Sequence, residues 1–336
     1  MNRILMIYTG GTIGMYPGPR GLEPGHDFEQ RARQQLQRLP SKRLEALPDF
    51  DCLEYNDPID SSNARPEHWA RIAHDVLEHR HSYDGFIILH GTDTLAWTAA
   101  SLTWQLSGLG KPVIVSGAQH PLEAEQSDGP ANLELALGFA ARNDLVGVAV
   151  AFGGQLLRGD TARKWDTHAH RGFASPNAAL LGEWLQDSPQ LHEVFSPSAN
   201  DGECTPMPYP AVVTPHVARL VLWPGISAEI LSRLLGDDIQ GLVLEVWGSG
   251  NIPEDPAIIN LLRQASERGC LIVAISQCPH GTLQMTNYAT GHALLSAGVI
   301  NGADMTPEAA FTRLIYLLSQ QLSPEKCRRQ FSPSSA

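Results

Sequence analysis

Cysteine is scarce in this sequence and carries no pattern. Its five copies, Cys52, Cys204, Cys270, Cys278 and Cys327, are scattered, odd in number and never spaced as CxxC, which excludes a disulfide framework and a zinc knuckle. Basic charge is also short: 24 Lys and Arg face 36 Asp and Glu, for a net charge of −12. A surface of that sign repels a phosphate backbone, so no nucleic-acid partner is expected. Long apolar runs are missing as well. No stretch approaches the ~20 residues that span a bilayer. The opening "MNRILMIYTGG" holds an apolar run too short for a secretory h-region, with no cleavage site behind it. The expectation is a reduced, soluble, cytoplasmic protein with no membrane partner.

Several chemical signatures are absent too. "GGTIG" does not supply the GxGxxG of a dinucleotide fold, and no GxxxxGK followed by Ser or Thr occurs. "WGSGN" (247–251) is not a GxSxG elbow. Histidine is plentiful at 13 copies, but His168 and His170 find no third ligand nearby, so no metal is expected. Cys278 and His280 are neighbours in sequence, which is not the geometry that thiol–imidazole pairing requires.

What is present is an alternation of short apolar runs and helical patterns. The 336 residues, 43% hydrophobic and 18% charged, suffice for two cores of ordinary size. Strands are predicted at 3–8, 50–55, 85–90, 112–117 and 145–152, and helices near 27–39, 66–80, 93–107 and 129–142. "GFIILH" is apolar throughout, as a strand covered on both faces must be. "RPEHWARIAHDVLEHR" spaces Trp69, Ile72, Ala73, Val76 and Leu77 on one helical face, with Pro66 in a favourable first turn. From 186 to 215 the pattern dissolves into a Pro- and Ser-rich stretch. A shorter alternation follows, with strands at 217–223, 241–247 and 270–276 and helices near 227–235, 255–268 and 307–320. This reads as an α/β protein of two domains. The larger, 1–188, is doubly wound on a mostly parallel sheet; 189–215 is a linker, and 216–336 a smaller α/β domain. The final "RRQFSPSSA" is expected to be loose.

Open parallel sheets bind ligands where strands end and helices begin. Three such loops are rich in hydroxyls and carboxylates: "TGGTIG" after the first strand, Asp57 to Asn63 after the second, and "HGTDT" at 90–94 after the third. Taken alone, Thr12 reads as a turn-capping hydroxyl, Thr92 or Asp93 as a helix cap, and Lys164 as a solvated surface charge. Their combination is sharper. A hydroxyl attacks a carbonyl poorly unless a base or an ammonium lowers the cost of losing its proton, and a Thr–Asp–Lys cluster could do this.

At these residues a family becomes visible. "YTGGTIGM" together with "DGFIILHGTDTLAWTA" resembles the bacterial asparaginase/glutaminase family of threonine amidohydrolases. "DSSNARPEHW", "GKPVIVSGAQ", "RGDTARKWD" and "YATGHALLSAGVINGADMTPEAA" extend the resemblance over almost the whole chain, toward the cytoplasmic type I group. The resemblance implies Thr12 as nucleophile on the side-chain amide of L-asparagine, with an acyl ester and then water giving L-aspartate. It implies Thr92, Asp93 and Lys164 as a second catalytic group. Asp60, Ser61 and Ser62 would hold the substrate's α-carboxylate, Asp93 its ammonium, and Ala118 would make a backbone contact to the amide. Tyr16 and Asn251 are weaker candidates. Which threonine attacks first stays open. A homodimer or homotetramer without cofactor is implied. The rivals are a glutaminase or dual enzyme, since one methylene is worth only about 1–3 kcal/mol, and a catalytically silent amino-acid sensor. An amidotransferase subunit is opposed by the −12 charge.

Three positions depart from the family. The lid after the first motif usually carries a tyrosine; here Leu22 stands at that place, with Tyr16 nearer the loop start, so either Tyr16 takes over or the nucleophile is activated differently. The residue before Lys164 is Arg163 instead of threonine. Where type I members use an arginine to bind effector asparagine, this chain has Glu245, so weak or absent allostery is expected.

Overall fold

The computed structural model describes residues 2–19, 21–196, 204–210, 213–287 and 289–331. The chain divides into two compact units, Met1–Pro210 and Ala211–Ala336.

Five strands of the first unit lie parallel, in the order Asp49–Glu54, Arg3–Tyr8, Gly85–Leu89, Pro112–Ser116, Gly147–Phe152. Side chains of a strand alternate between faces, and these runs are apolar at successive positions, so they feed two cores at once. Ile4, Met6, Ile87, Leu89 and Ile114 enter one, against Phe28, Leu133, Leu137 and Phe139. Leu5, Ile7, Phe86, Ile88 and Val113 enter the other, against Ile72, Val76, Leu95 and Leu102. The helices Phe28–Leu36 and Gly129–Ala140 therefore cover one face, and Pro66–His79 and Leu95–Gln105 the opposite one. Each fully buried Ile, Leu or Phe contributes about 1.5–3 kcal/mol. The sheet is doubly wound, as the alternation implied.

The chain leaves Arg3–Tyr8 for Asp49–Glu54 on one side and then returns to Gly85–Leu89 on the other. Arg3–Tyr8 is thus the switch point of the sheet, where a crevice opens beyond the strand ends.

Some elements escaped the sequence reading. Gln155–Arg158, Gly182–Leu185 and Ser188–Leu191 extend the sheet antiparallel to eight strands. They are four residues each and too short to show a period. Part of the tail expected to be loose forms the helix Pro324–Phe331 instead, because Cys327 and Phe331, one turn apart, are both buried; residues 332–336 lie outside the described residues.

The second unit is a four-stranded parallel sheet, ordered Val217–Val221, Gly241–Val246, Leu271–Ser276, Ile300–Asn301. Ala228–Leu234, Pro256–Glu267 and Ala289–Ser296 pack on one face, and Pro307–Ser319 and Pro324–Phe331 on the other. Thr306 caps the helix that Pro307 opens, its Oγ1 accepting the Ala309 N–H at 3.1 Å.

Tyr8 ends the strand Arg3–Tyr8, is 2% exposed and stacks on Phe28, with ring centroids 4.3 Å apart. Burial pushes its pKa up to about 12, and its hydroxyl has no hydrogen-bond partner among the described residues. Tyr8→Phe keeps the stacked ring and removes a buried polar atom, so thermal unfolding is expected to stay level or rise. A fall of more than about 3 °C by calorimetry overturns this.

Candidate active site

Three loops around the switch point meet main chain to main chain. The Thr9 N–H and hydroxyl both donate to the Leu89 carbonyl, at 3.1 and 2.8 Å, and the Ile59 N–H donates to the Thr9 carbonyl at 2.7 Å. A Cβ at Gly11 would lie 2.5 Å from the Gly91 nitrogen, and one at Gly10 would lie 2.5 Å from the Ile59 carbonyl oxygen. Both glycines also hold positive φ, 94° and 130°. No other residue satisfies both demands. The glycines of "TGGT" therefore bring backbones together, which is a different task from cradling phosphate.

Thr12 follows directly, half-buried, as first residue of the single turn Thr12–Gly14. Gly11 occupies the capping position there, so Thr12 is not the turn cap that its local sequence suggested. Thr92 and Asp93 are not helix caps either. The following helix starts at Leu95 with Thr94 before it, and the Thr94 hydroxyl donates to the Ser61 carbonyl at 2.8 Å.

Lys164 sits in the two-residue strand Arg163–Lys164, paired antiparallel with Phe173–Ala174. Its ammonium donates to the Thr92 hydroxyl oxygen at 2.9 Å and to the Asp93 carboxylate at 2.7 Å. Thr92 is buried, whereas 65% of the Asp93 side chain is open to solvent. A positive charge thus rests beside a hydroxyl whose deprotonated form it would favour. The exposed carboxylate can still receive a cationic group from outside.

On the neighbouring loop Asp60 accepts the Ser62 N–H at 3.0 Å and starts the turn Ser61–Asn63. Ser61 is buried; Asp60 and Ser62 are exposed. Ala118, 1% exposed, follows the strand Pro112–Ser116. Its loop is held by residues that sequence reasoning missed. The buried Asp128 accepts the Gln119 N–H at 3.0 Å, and the Asn132 amide donates to the Gly117 carbonyl at 2.9 Å. "SDGPANLELA" advertised only a helix start.

The lid region forms a hairpin, Met15–Gly18 with Gly21–Pro24, which places Pro17 opposite Leu22. Tyr16 and Leu22 are both exposed. Two further candidates belong to the second unit. Glu245 is buried and its carboxylate is bound by the Arg219 guanidinium, so it is not a bare negative charge. Asn251 is engaged locally, its Oδ1 accepting the Thr290 hydroxyl at 3.1 Å. Among the described residues one trio could hold a cation, His74, Asp75 and Glu78; none of them is a site residue named above.

Hydroxyls, a carboxylate and an ammonium thus gather at the switch point of a parallel sheet, the equipment for binding and polarising a small polar substrate. Residues 3–195 match the family described as Asparaginase, N-terminal, and residues 216–331 match the Glutaminase/Asparaginase C-terminal domain. The chain is 42% identical over 329 residues to L-asparaginase 1 of Escherichia coli (strain K12), covering 98% of this chain and 95% of that protein. It is 36% identical over 335 residues to the 60 kDa lysophospholipase of Mus musculus, covering 95% of this chain and 59% of that one. The crystal structure of L-asparaginase I from Vibrio cholerae O1 biovar eltor str. N16961 aligns with a TM-score of 0.86 at 38% identity, over 100% of this chain and 97% of that one. The chain belongs to the asparaginase family and is an amidohydrolase.

His90, the residue before Gly91 and Thr92, is fully buried. Its Nδ1–H donates to the Gly91 carbonyl at 2.8 Å, and its Nε2, 3.1 Å from the Thr98 hydroxyl, accepts. That arrangement needs a neutral ring, and burial lowers the pKa from 6.5 to about 4. Between those values the unfolded chain binds the extra proton, so stability falls as pH drops from 6.5 toward 4. The full shift corresponds to about 3 kcal/mol. Urea midpoints at pH 7 and pH 4.5 are expected to differ less in His90→Gln than in the wild type; an equal difference removes His90 from the account.

Proposed function

We propose that this amidohydrolase hydrolyses L-asparagine to L-aspartate and ammonia through a threonine ester. The observation that carries the reading is the Lys164 ammonium shared between Thr92 and Asp93 on the rim where Thr12 emerges. The asparaginase names of its relatives in Escherichia coli and Vibrio cholerae support the same substrate.

The Thr12 hydroxyl oxygen attacks the side-chain amide carbon, and its proton passes to the leaving nitrogen. The oxyanion is met by Thr92 and nearby backbone N–H groups, donors that cost no reorganisation when charge develops. Collapse expels ammonia and leaves an aspartyl ester, which water cleaves to restore the hydroxyl. The Asp93 carboxylate takes the substrate's α-ammonium. The segment Asp60–Ser62 takes its α-carboxylate through serine hydroxyls and main-chain N–H groups, and the Ala118 main chain contacts the amide. This work belongs to a catalytic domain of residues 1–188, joined through 189–215 to a second domain, 216–336. The enzyme is cytoplasmic and acts as a homodimer or homotetramer.

Thr12→Ala and Lys164→Met are each expected to lower kcat for asparagine by about a thousandfold or more while the chain stays folded. Ammonia release from asparagine and glutamine is the measurement. Full activity in Thr12→Ala refutes the nucleophile assignment, glutamine preferred over asparagine makes the enzyme a glutaminase, and no release from either makes it a sensor. Trapping the ester and mapping the modified peptide decides which threonine attacks first.

Saturation by asparagine is expected to be hyperbolic, because Glu245 is paired with Arg219 and the pair leaves no net positive charge to hold an effector's α-carboxylate. A sigmoidal curve abolished by changing Glu245 or Cys278 overturns this.

A further inference from the structure

One cation at the root of the hairpin has no part in the chemistry described so far. Arg31, in the helix Phe28–Leu36, is 7% exposed. Its Nε and Nη2 donate to the two carboxylate oxygens of Glu123, both at 2.7 Å. Its Nη1 donates to the Gly14 carbonyl at 2.8 Å, at the end of the turn that Thr12 begins. The face of its guanidinium lies 3.8 Å from the centroid of the Tyr16 ring, in the first strand of the hairpin. One planar group therefore grips the end of the Thr12 turn, the base of the hairpin and the loop that starts at Ala118 and carries Glu123.

Two main-chain bonds run alongside. The Gly25 N–H donates to the same Gly14 carbonyl at 3.1 Å, closing the hairpin's root, and the Leu122 N–H donates to the Ile13 carbonyl at 3.0 Å. Both sides of the turn are thus tied to the loop or to the hairpin, and Arg31 joins the two ties. Lysine cannot replace it: an ammonium is a point charge, whereas the fork meets both carboxylate oxygens and the carbonyl in one plane.

We propose that Arg31, held by Glu123, is a positioning residue for the reacting threonine turn, and that Tyr16 serves this clamp with its ring and not with its hydroxyl. The idea rests on the reading that Thr12 reacts. It acts through Gly14 and Tyr16, so its effect falls on the placement of Thr12 and the hairpin over the bound amide. Asp60, Ser61 and Asp93, which hold the substrate's ends, stay where they are.

The experiment uses the full chain and four variants: Arg31→Lys, Glu123→Gln, Tyr16→Phe and Tyr16→Leu. Misplacement of a reacting group by about 1 Å costs about a hundredfold in rate, and smaller shifts about tenfold. Arg31→Lys and Glu123→Gln are expected to lose that much kcat with KM changed by less than about threefold. Tyr16→Phe keeps the ring and wild-type kcat, while Tyr16→Leu falls with Arg31→Lys. Hydrogen exchange gives a readout free of chemistry. The Gly25 amide exchanges at least about tenfold faster in Arg31→Lys, and the amides of the strand Gly85–Leu89 do not change. Wild-type kcat in Arg31→Lys overturns the proposal, as does unchanged Gly25 exchange or acceleration spread equally over the strand amides. Loss of activity in Tyr16→Phe overturns the role given to the ring. Running exchange on Thr12→Ala separates the two ideas: full activity in that variant sinks the nucleophile assignment, while Gly25 exchange still reports whether the clamp exists.

Discussion

The near-contact of bare main chain at Gly10, Gly11 and Gly91 is the constraint on which the rest of the first unit's chemistry depends. With a Cβ only 2.5 Å from the next backbone at either of the first two positions, any side chain would push the loops apart. Hydroxyls from residues far apart in sequence would then no longer share one rim. The constraint is also local to the topology. The strand at the switch point has a later strand on each side, and its loop is pinned to both. Thr9 does the pinning, accepting from Ile59 and donating to Leu89.

Much of this was legible in the sequence, for identifiable reasons. Strands such as Gly85–Leu89 must be apolar at every position because both faces are covered, and that leaves a plain signal. The amphipathic helix Pro66–His79 was equally plain, with Trp69, Ile72, Ala73 and Val76 buried as spaced. "YTGGTIGM" and "HGTDT" pointed to loops that the structure brings together, with Lys164 reaching the second of them, because carboxyl-end loops of neighbouring parallel strands open on one rim. The short antiparallel strands could not be read, because four residues show neither alternation nor a moment. The pair Arg31–Glu123 was invisible for another reason: each residue reads as an ordinary surface charge, and only the fold makes Arg31 a buried one. Asp128 hid as a helix start while its carboxylate served the loop at Gln119.

Charge is handled differently in the two units. In the first, Lys164 and Asp93 form a half-open pair, a kind that adds little to stability when solvent reaches it. Its cost in ordering is low and its groups stay free to exchange partners. In the second, Glu245 and Arg219 form a pair in which the carboxylate is nearly sealed. Breaking such a pair from one side leaves a charge without compensation. The first suits turnover and the second suits a fixed framework.

The place of Arg3–Tyr8 between two strands that follow it in the chain has a consequence during synthesis. Its two neighbours, Asp49–Glu54 and Gly85–Leu89, are made later, the second about 80 residues further on. At about 5–20 residues per second "RILMIY" waits several seconds with both of its edges unpaired. An apolar, β-prone hexamer in that state can join another copy of itself. An unpaired-edge hazard during synthesis therefore falls on Arg3–Tyr8, well before the residues around Lys164 are made.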